Sequence, residues 1–292
     1  MKVGYCGIFG KPNVGKSLLL NRLLNTPLSA VSQKPQTTRH KILGILSEKD
    51  YQIIFLDTPG VLKPKYLLQE FMVKEIEESL ESCDIALFVC EPFGPPDDLE
   101  KEIIEKIKER EKTSLVVINK VDLVKKDLIL PLIETYNKMG FLEIYPISAL
   151  KNIGIEELKE GIVKYLKEGE PYYEPDMISE KNERFFVSEF IREAIFNLYG
   201  EEIPYCTTVE VEEFKEREKG KDYIRATIYV EKPSQKKIII GKDGKALKRL
   251  GEMARKRIEA FLGKEIYLEL WIKVKENWRK DIQFIKKTVY GF

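Results

Sequence analysis

Eight consecutive residues near the start of the chain, Gly10-Lys11-Pro12-Asn13-Val14-Gly15-Lys16-Ser17, fit the spacing G-x-x-x-x-G-K-[ST]. Phosphate oxygens need backbone N–H donors at close range, and glycine keeps side chains out of that approach. An apolar strand-sized stretch, residues 4–9, precedes the run, and a leucine-rich helical stretch, residues 17–24, follows it. Strand, loop and helix in that order are the context this motif requires. The helix start adds its dipole to the donors. Residues 10–18, Leu18 included, are thus the expected phosphate cradle. Lys16 is expected to reach the β- and γ-phosphates, and the Ser17 hydroxyl to bind Mg²⁺.

Three further segments close predicted strands. In Asp57-Thr58-Pro59-Gly60, the Asp57 carboxylate can hold a Mg²⁺-bound water, and the Gly60 N–H can contact a γ-phosphate. In Asn119-Lys120-Val121-Asp122, the Asp122 carboxylate can accept from guanine N1–H and the 2-amino group. Adenine offers neither donor, so a buried Asp122 would be left unpaired and would discriminate strongly. Asn119 can bond the other edge of the base and brace the phosphate loop, while the Lys120 stem lies along the ring. In Ser148-Ala149-Leu150, the Ala149 N–H can contact O6. Each segment is weak alone; their order and strand-end placement point to GTP and GDP as ligands.

These motifs together resemble the boxes of the translation-factor class of GTPases. The resemblance implies that Thr38, directly before Arg39, is a Mg²⁺ and γ-phosphate ligand, with Thr37 as the other candidate. Ser17, Thr38 and Asp57 are then the expected metal site, Asp57 through water. Arg39 and His40 are expected to be exposed switch residues. One departure matters: Val61 follows Gly60, where Ras-like proteins place the Gln that orients the attacking water. Val61 cannot polarise water, so hydrolysis should be slow unaided, or depend on backbone groups, a second residue or a partner, and no general base is assigned.

A second motif lies near the other end. Ile238-Ile239-Ile240-Gly241-Lys242-Asp243-Gly244-Lys245 contains a G-x-x-G turn between apolar and helical segments. KH domains use such a turn to clamp a few single-stranded nucleotides. Lys236, Lys237, Lys242, Lys245, Lys248 and Arg249 ring it with positive charge. Ile239 and Ile240 are expected to line the adjacent groove, with Asp243 in the turn itself. Trp271 is expected in the core.

The elements that must position these motifs change character along the chain. Residues 1–170 alternate short apolar strands with amphipathic helices, which implies a mostly parallel sheet covered on both faces. Residues 171–180, with Pro171 and Pro175 and no period, form the expected linker and hinge. Residues 181–292 follow an α-β-β-α-β order, a smaller α+β domain; residues 278–287 are its expected final helix. Length, 292 residues, fits two domains.

Net charge is only +1, but residues 231–292 hold 17 Lys and Arg against 8 Asp and Glu. That surplus of basic residues is the footprint of a polyanion: nucleic acid or an anionic membrane surface. Four scattered cysteines and a single histidine argue against a disulfide scaffold and a structural zinc site. No apolar run approaches the ~20 residues of a membrane span, and no secretory signal is evident.

A P-loop GTPase domain followed by one type II KH domain resembles the Era family of bacterial ribosome-assembly GTPases over nearly the whole chain. The stretches that carry the likeness include KPNVGKS, KPQTTRHKILGI, DTPGV, NKVD, VSEFIREAIF, QKKIIIGKDGKALK and LELWIKVKENW. The resemblance implies a GTP switch that binds the single-stranded 3′ end of small-subunit rRNA and acts on the small ribosomal subunit. The chain is also expected to be cytoplasmic and a monomer, with no DNA partner. It also implies peripheral contact with the inner face of the cytoplasmic membrane. The alternative class is a signalling or membrane-recruited GTPase whose C-terminal domain binds protein or lipid.

Overall fold

The structure, a computed structural model, describes residues 1–141, 143–200 and 202–291; the final residue of the expected second domain lies outside them. The chain divides into two compact units. The first comprises residues 1–29, 38–63 and 71–180, and the second residues 30–37, 64–70 and 181–292. The sequence pattern gives no hint that two short internal segments join the second unit.

In the first unit, strands β1 (Lys2–Phe9), β2 (Ile42–Ser47), β3 (Tyr51–Asp57), β4 (Ile85–Cys90), β5 (Thr113–Ile118) and β6 (Ile144–Pro146) form one sheet in the order β2-β3-β1-β4-β5-β6. A two-residue strand, β7 (Lys167–Glu168), pairs with the start of β1. All pairings from β3 to β6 are parallel, and β2 joins β3 antiparallel. Strand β4 is apolar throughout and buried at every position, as a strand covered on both faces must be. The covering helices are α1 (Lys16–Leu23), α2 (Leu67–Ser82, of which residues 71–82 belong to this unit), α3 (Asp98–Glu109), α4 (Ile129–Lys138) and α5 (Ile155–Tyr165). Helix α3 starts where the Asp97 carboxylate accepts the Glu100 N–H at 2.9 Å, and Glu100 returns the bond to the Asp97 N–H. The chain leaves β1 between β3 and β4, where strand order reverses, and ligand crevices in such sheets open at that point.

Residues 171–180 are not a free tether. The Gln52 side chain accepts from the N–H groups of Tyr172 and Tyr173 at 2.8 and 3.1 Å, and donates to the Tyr173 carbonyl at 2.8 Å. The Ile178 carbonyl accepts from the Ile45 N–H, and the Ser179 hydroxyl donates to the Leu43 carbonyl. The expected hinge at Pro171 and Pro175 is therefore bonded to the sheet of the first unit.

The second unit holds α6 (Glu183–Leu198), β8 (Thr208–Lys215), β9 (Asp222–Val230), α7 (Pro233–Ile240), α8 (Lys245–Leu262) and β10 (Ile266–Val274). Its sheet runs β10-β9-β8, with β9 antiparallel to β8 and parallel to β10. Helix α7 is an addition to the expected order. The Gln235 side-chain oxygen Oε1 accepts the N–H groups of Glu231 and Lys232, which caps the helix that Pro233 opens. Phe186 and Phe190 of α6 pack on Phe261 of α8. Trp271 is a correction: it is 53% exposed, on the strand face opposite buried Ile266 and Ile272. Buried Trp278, whose indole donates to the Cys206 carbonyl at 2.8 Å, fills the core instead. The final helix is also interrupted. Asn277 turns left-handed, a 3₁₀ turn covers Trp278–Lys280, and a π-helical stretch covers Ile285–Tyr290.

Candidate nucleotide and RNA sites

The phosphate loop follows β1 directly and ends at α1. Lys16 is buried beneath it and donates to the carbonyls of Gly10 and Lys11 at 3.0 and 2.9 Å. Burial pushes its ammonium down to about 8, while the Asp57 charge opposes that shift. Lys11 reaches sideways to the Asp97 carboxylate at 2.7 Å, which ties the loop to the start of α3.

Ser17, Thr38 and Asp57 converge. The Ser17 hydroxyl lies 2.8 Å from Thr38 Oγ1 and donates to Asp57 Oδ2 at 2.7 Å. Thr37 Oγ1 instead donates to the Lys34 carbonyl at 2.9 Å, so of the two threonines Thr38 is the one turned to this cluster. Ser29, which no motif singles out, also donates to Asp57 Oδ2 at 2.7 Å. Asp57 is fully buried, and its Oδ1 has no hydrogen-bond partner. Burial pushes this carboxyl up, against the hydroxyls of Ser17 and Ser29 and the Lys16 charge. An orphaned carboxylate oxygen beside two hydroxyls suits a hard divalent cation that takes oxygen ligands. Among the described residues no three His, Cys, Asp or Glu side chains cluster, so the protein alone would not complete the shell of such an ion, and water or phosphate oxygens would supply the rest.

The segment after β3 folds back on the phosphate loop. The Val61 N–H donates to the Gly10 carbonyl, and a Cβ on Gly60 would stand 2.6 Å from the Pro12 backbone. Only glycine permits that approach. Val61 itself lines an apolar groove with Leu62, Ile76, Leu80 and Ile103. Arg39 and His40 correct the expectation of exposure, for both are buried beside Thr38.

At the base end, Asn119 braces the loops. Its amide donates to the Val14 carbonyl at 2.7 Å, and its oxygen accepts the Ala149 N–H at 3.0 Å. The Ala149 N–H expected to meet O6 is thus engaged within the protein. Lys120 adopts a left-handed backbone and donates to the Asn13 carbonyl at 2.7 Å and to Glu91. Arg22 of α1 holds the carbonyls of Ala149 and Leu150. Ser148 accepts the Lys151 N–H, which shapes that turn. Asp122 is exposed at a 3₁₀ turn, which corrects the expectation of a buried carboxylate.

In the second unit, Gly241 and Gly244 flank a turn between α7 and α8. Gly241 has φ +69°, and a Cβ there would meet the Ala246 side chain at 2.5 Å. Lys237, Lys242, Lys245 and Lys248 are exposed around the turn, as is Asp243. Ile239 corrects the expectation of a groove-lining residue, since it is fully buried, while Ile240 is partly exposed. Ile238, at 51% exposure, is the isoleucine that faces outward.

Two family models match, "50S ribosome-binding GTPase" over residues 5–120 and "KH domain" over residues 202–279. A GTPase Era from Clostridium botulinum is 45% identical over 290 residues, covering 99% of this chain and 98% of that relative. The chain belongs to the Era family of GTPases. Era of Lactobacillus helveticus is 45% identical over 292 residues, with 99% and 96% covered. Two solved Era structures match over the full length of both chains, each with a TM-score of 0.96 and 41% identity. One is Era in complex with MgGDPNP and nucleotides 1506–1542 of 16S ribosomal RNA. The other is a variant of Aquifex aeolicus Era bound to GDP and AlF₄⁻. As an Era-family member the chain is a GTPase, with an α/β P-loop domain and a C-terminal KH domain.

Proposed function

We propose that this GTPase is an RNA-bound switch that assists assembly of the small ribosomal subunit. The observation that carries the reading is the lysine-ringed Gly241–Gly244 turn at the start of α8, in a chain that also carries a complete phosphate loop. Exposed lysines supply affinity for an RNA backbone, and the glycines let it approach closely. The likeness to an Era solved with the 3′ region of 16S rRNA supports the same class of ligand here.

At the nucleotide site, residues 10–18 cradle the phosphates, and Lys16 offsets their charge. Asp122 and Asn119 select guanine. Ser17, Thr38 and Asp57 would hold Mg²⁺, which would neutralise charge on the β- and γ-phosphate oxygens. Gly60 presents its N–H towards the γ-phosphate. The Val61 side chain offers no polar atom to the attacking water, so hydrolysis is slow until backbone groups, a second residue or a partner completes the site.

The chain acts as a monomer, and any contact with the cytoplasmic membrane is peripheral. No helix among the described residues is long and apolar enough to cross one. Basic residues near the C-terminus would supply the attraction to anionic headgroups.

The test is GTP turnover with and without a short RNA copying the small-subunit rRNA 3′ end, in the wild type and in Gly241→Asp. Stimulation in the wild type and its loss in the variant are expected. Equal turnover in all four conditions, without salt-dependent RNA binding, would reassign the basic end to lipid or protein.

A further inference from the structure

The loop that leads to Thr38 is built into the second unit. On α6, Glu189, Arg192, Glu193 and Phe196 recur at three- and four-residue intervals and therefore share one face. That face holds every third residue of the loop. The Glu193 carboxylate accepts the Val31 N–H at 3.0 Å. Lys34 donates to the carbonyls of Phe196 and Tyr199, at the helix end where carbonyls lack intrahelical donors. Arg192 Nη2 donates to the Thr37 carbonyl.

Arg192 is itself fixed. Its Nε and Nη2 meet the two Glu189 carboxylate oxygens at 2.9 Å each. Both side chains are buried, with 3% and 4% of their surface exposed. The Phe196 ring lies 5.3 Å from the guanidinium. A charge pair buried this deeply persists only if its geometry is tightly defined. Here one of the bonds that defines it ends on the main chain of the loop. The next residue along the chain is Thr38, whose hydroxyl meets Ser17.

We propose that Arg192, with Glu189 as its counter-ion, is a positioning residue for the nucleotide site. By holding the Thr37 carbonyl it sets the residue that follows, so that the Thr38 hydroxyl reaches the cluster formed with Ser17 and Asp57. The inference rests on Thr38 being a metal and γ-phosphate ligand, as proposed above. Linkage makes the bond act in both directions. A nucleotide that holds Thr38 strengthens the grip on residues 31–37, and one that does not hold it weakens that grip.

The experiment compares Glu189→Met/Arg192→Met, Arg192→Lys and Thr38→Ala with the wild type. The double variant removes both members of this buried pair together, so that neither is left facing the site of the other. The readouts are the Mg²⁺ concentration that half-saturates GTP turnover and the affinities for GDPNP and GDP, with thermal unfolding to establish the fold. The double variant should need roughly tenfold more Mg²⁺ and lose roughly tenfold in GDPNP affinity, with GDP affinity changed less than about twofold. Arg192→Lys, which keeps one donor for the carbonyl, should fall between it and the wild type. Adding Thr38→Ala to the double variant should cost nothing beyond Thr38→Ala alone, because Arg192 acts through Thr38. Wild-type Mg²⁺ and GDPNP behaviour in a folded double variant, with Thr38→Ala impaired, would overturn the role of Arg192 alone. Wild-type behaviour of Thr38→Ala would overturn the Thr38 reading and the inference with it. Should the double variant not fold, Arg192→Lys decides by the same two readouts.

Discussion

Asp57 combines a buried carboxylate, two serine donors and one oxygen with no partner. Burial pushes its carboxyl towards the neutral acid, and those donors and Lys16 oppose that shift. Ser29→Ala removes one donor to a charged acceptor, a loss of about 1.5–3 kcal/mol in comparable sites. The expected result is at least a roughly tenfold rise in the Mg²⁺ needed for half-maximal turnover. An unchanged Mg²⁺ titration would remove Ser29 from the site. Lys16 makes a prediction about pH. Its free-state value is about 8, and bound phosphates stabilise the charged form, so binding raises it. Affinity for GDP should therefore be constant below about pH 8 and fall above it, by up to roughly tenfold per pH unit, until the bound-state value is reached. A Kd that stays flat to about pH 9.5 would contradict this. The phosphate loop was legible in the sequence because its residues are contiguous and its glycines are spaced by backbone geometry. Ser29, Arg22 and Glu91 were not, because each acts from a segment with no periodic relation to the motif it supports.

Among the elements, the buried strands were the most legible. A run such as Ile85–Cys90 leaves no other place for six apolar residues. Helix α7 was concealed because Ile238, Ile239 and Ile240 are β-branched and suggest a strand, whereas Pro233 and the Gln235 cap decide for a helix. Trp271 shows the limit of alternation: the period of β10 is evident, but which face meets the core is set by the packing of α8. Gln52 shows how one side chain can hold a segment that composition marks as a linker. Gln52→Ala would leave the N–H groups of Tyr172 and Tyr173 without their acceptor and the Tyr173 carbonyl without its donor. Stability should fall by about 1–3 kcal/mol, and the peptide bonds around residues 170–180 should become sensitive to protease. Wild-type protease resistance and thermal midpoint in the variant would show that other bonds hold the segment.

For the whole molecule, the charge surplus lies in residues 231–292, the same stretch that holds the Gly241–Gly244 turn proposed to contact RNA. Each phosphate-contacting lysine should add to the salt dependence of RNA binding. Lys242→Ala or Lys245→Ala should weaken binding across sequences and lower the slope of log K against log salt by about 0.7. Assignment of residues 30–37 and 64–70 to the second unit is a property of packing, not of composition, and no sequence period could have revealed it. Thr37 and Thr38, which one peptide bond joins, thus fall in different units. The central claim is that the nucleotide controls RNA affinity through the loop ending at Thr37. The most direct measurement is the Kd for the 16S rRNA 3′-end oligonucleotide with GDPNP bound and with GDP bound, at one fixed salt concentration. The two Kd values should differ by at least roughly fivefold, and the difference should be lost in Thr38→Ala. Equal affinities with GDPNP and GDP in the wild-type protein would contradict it.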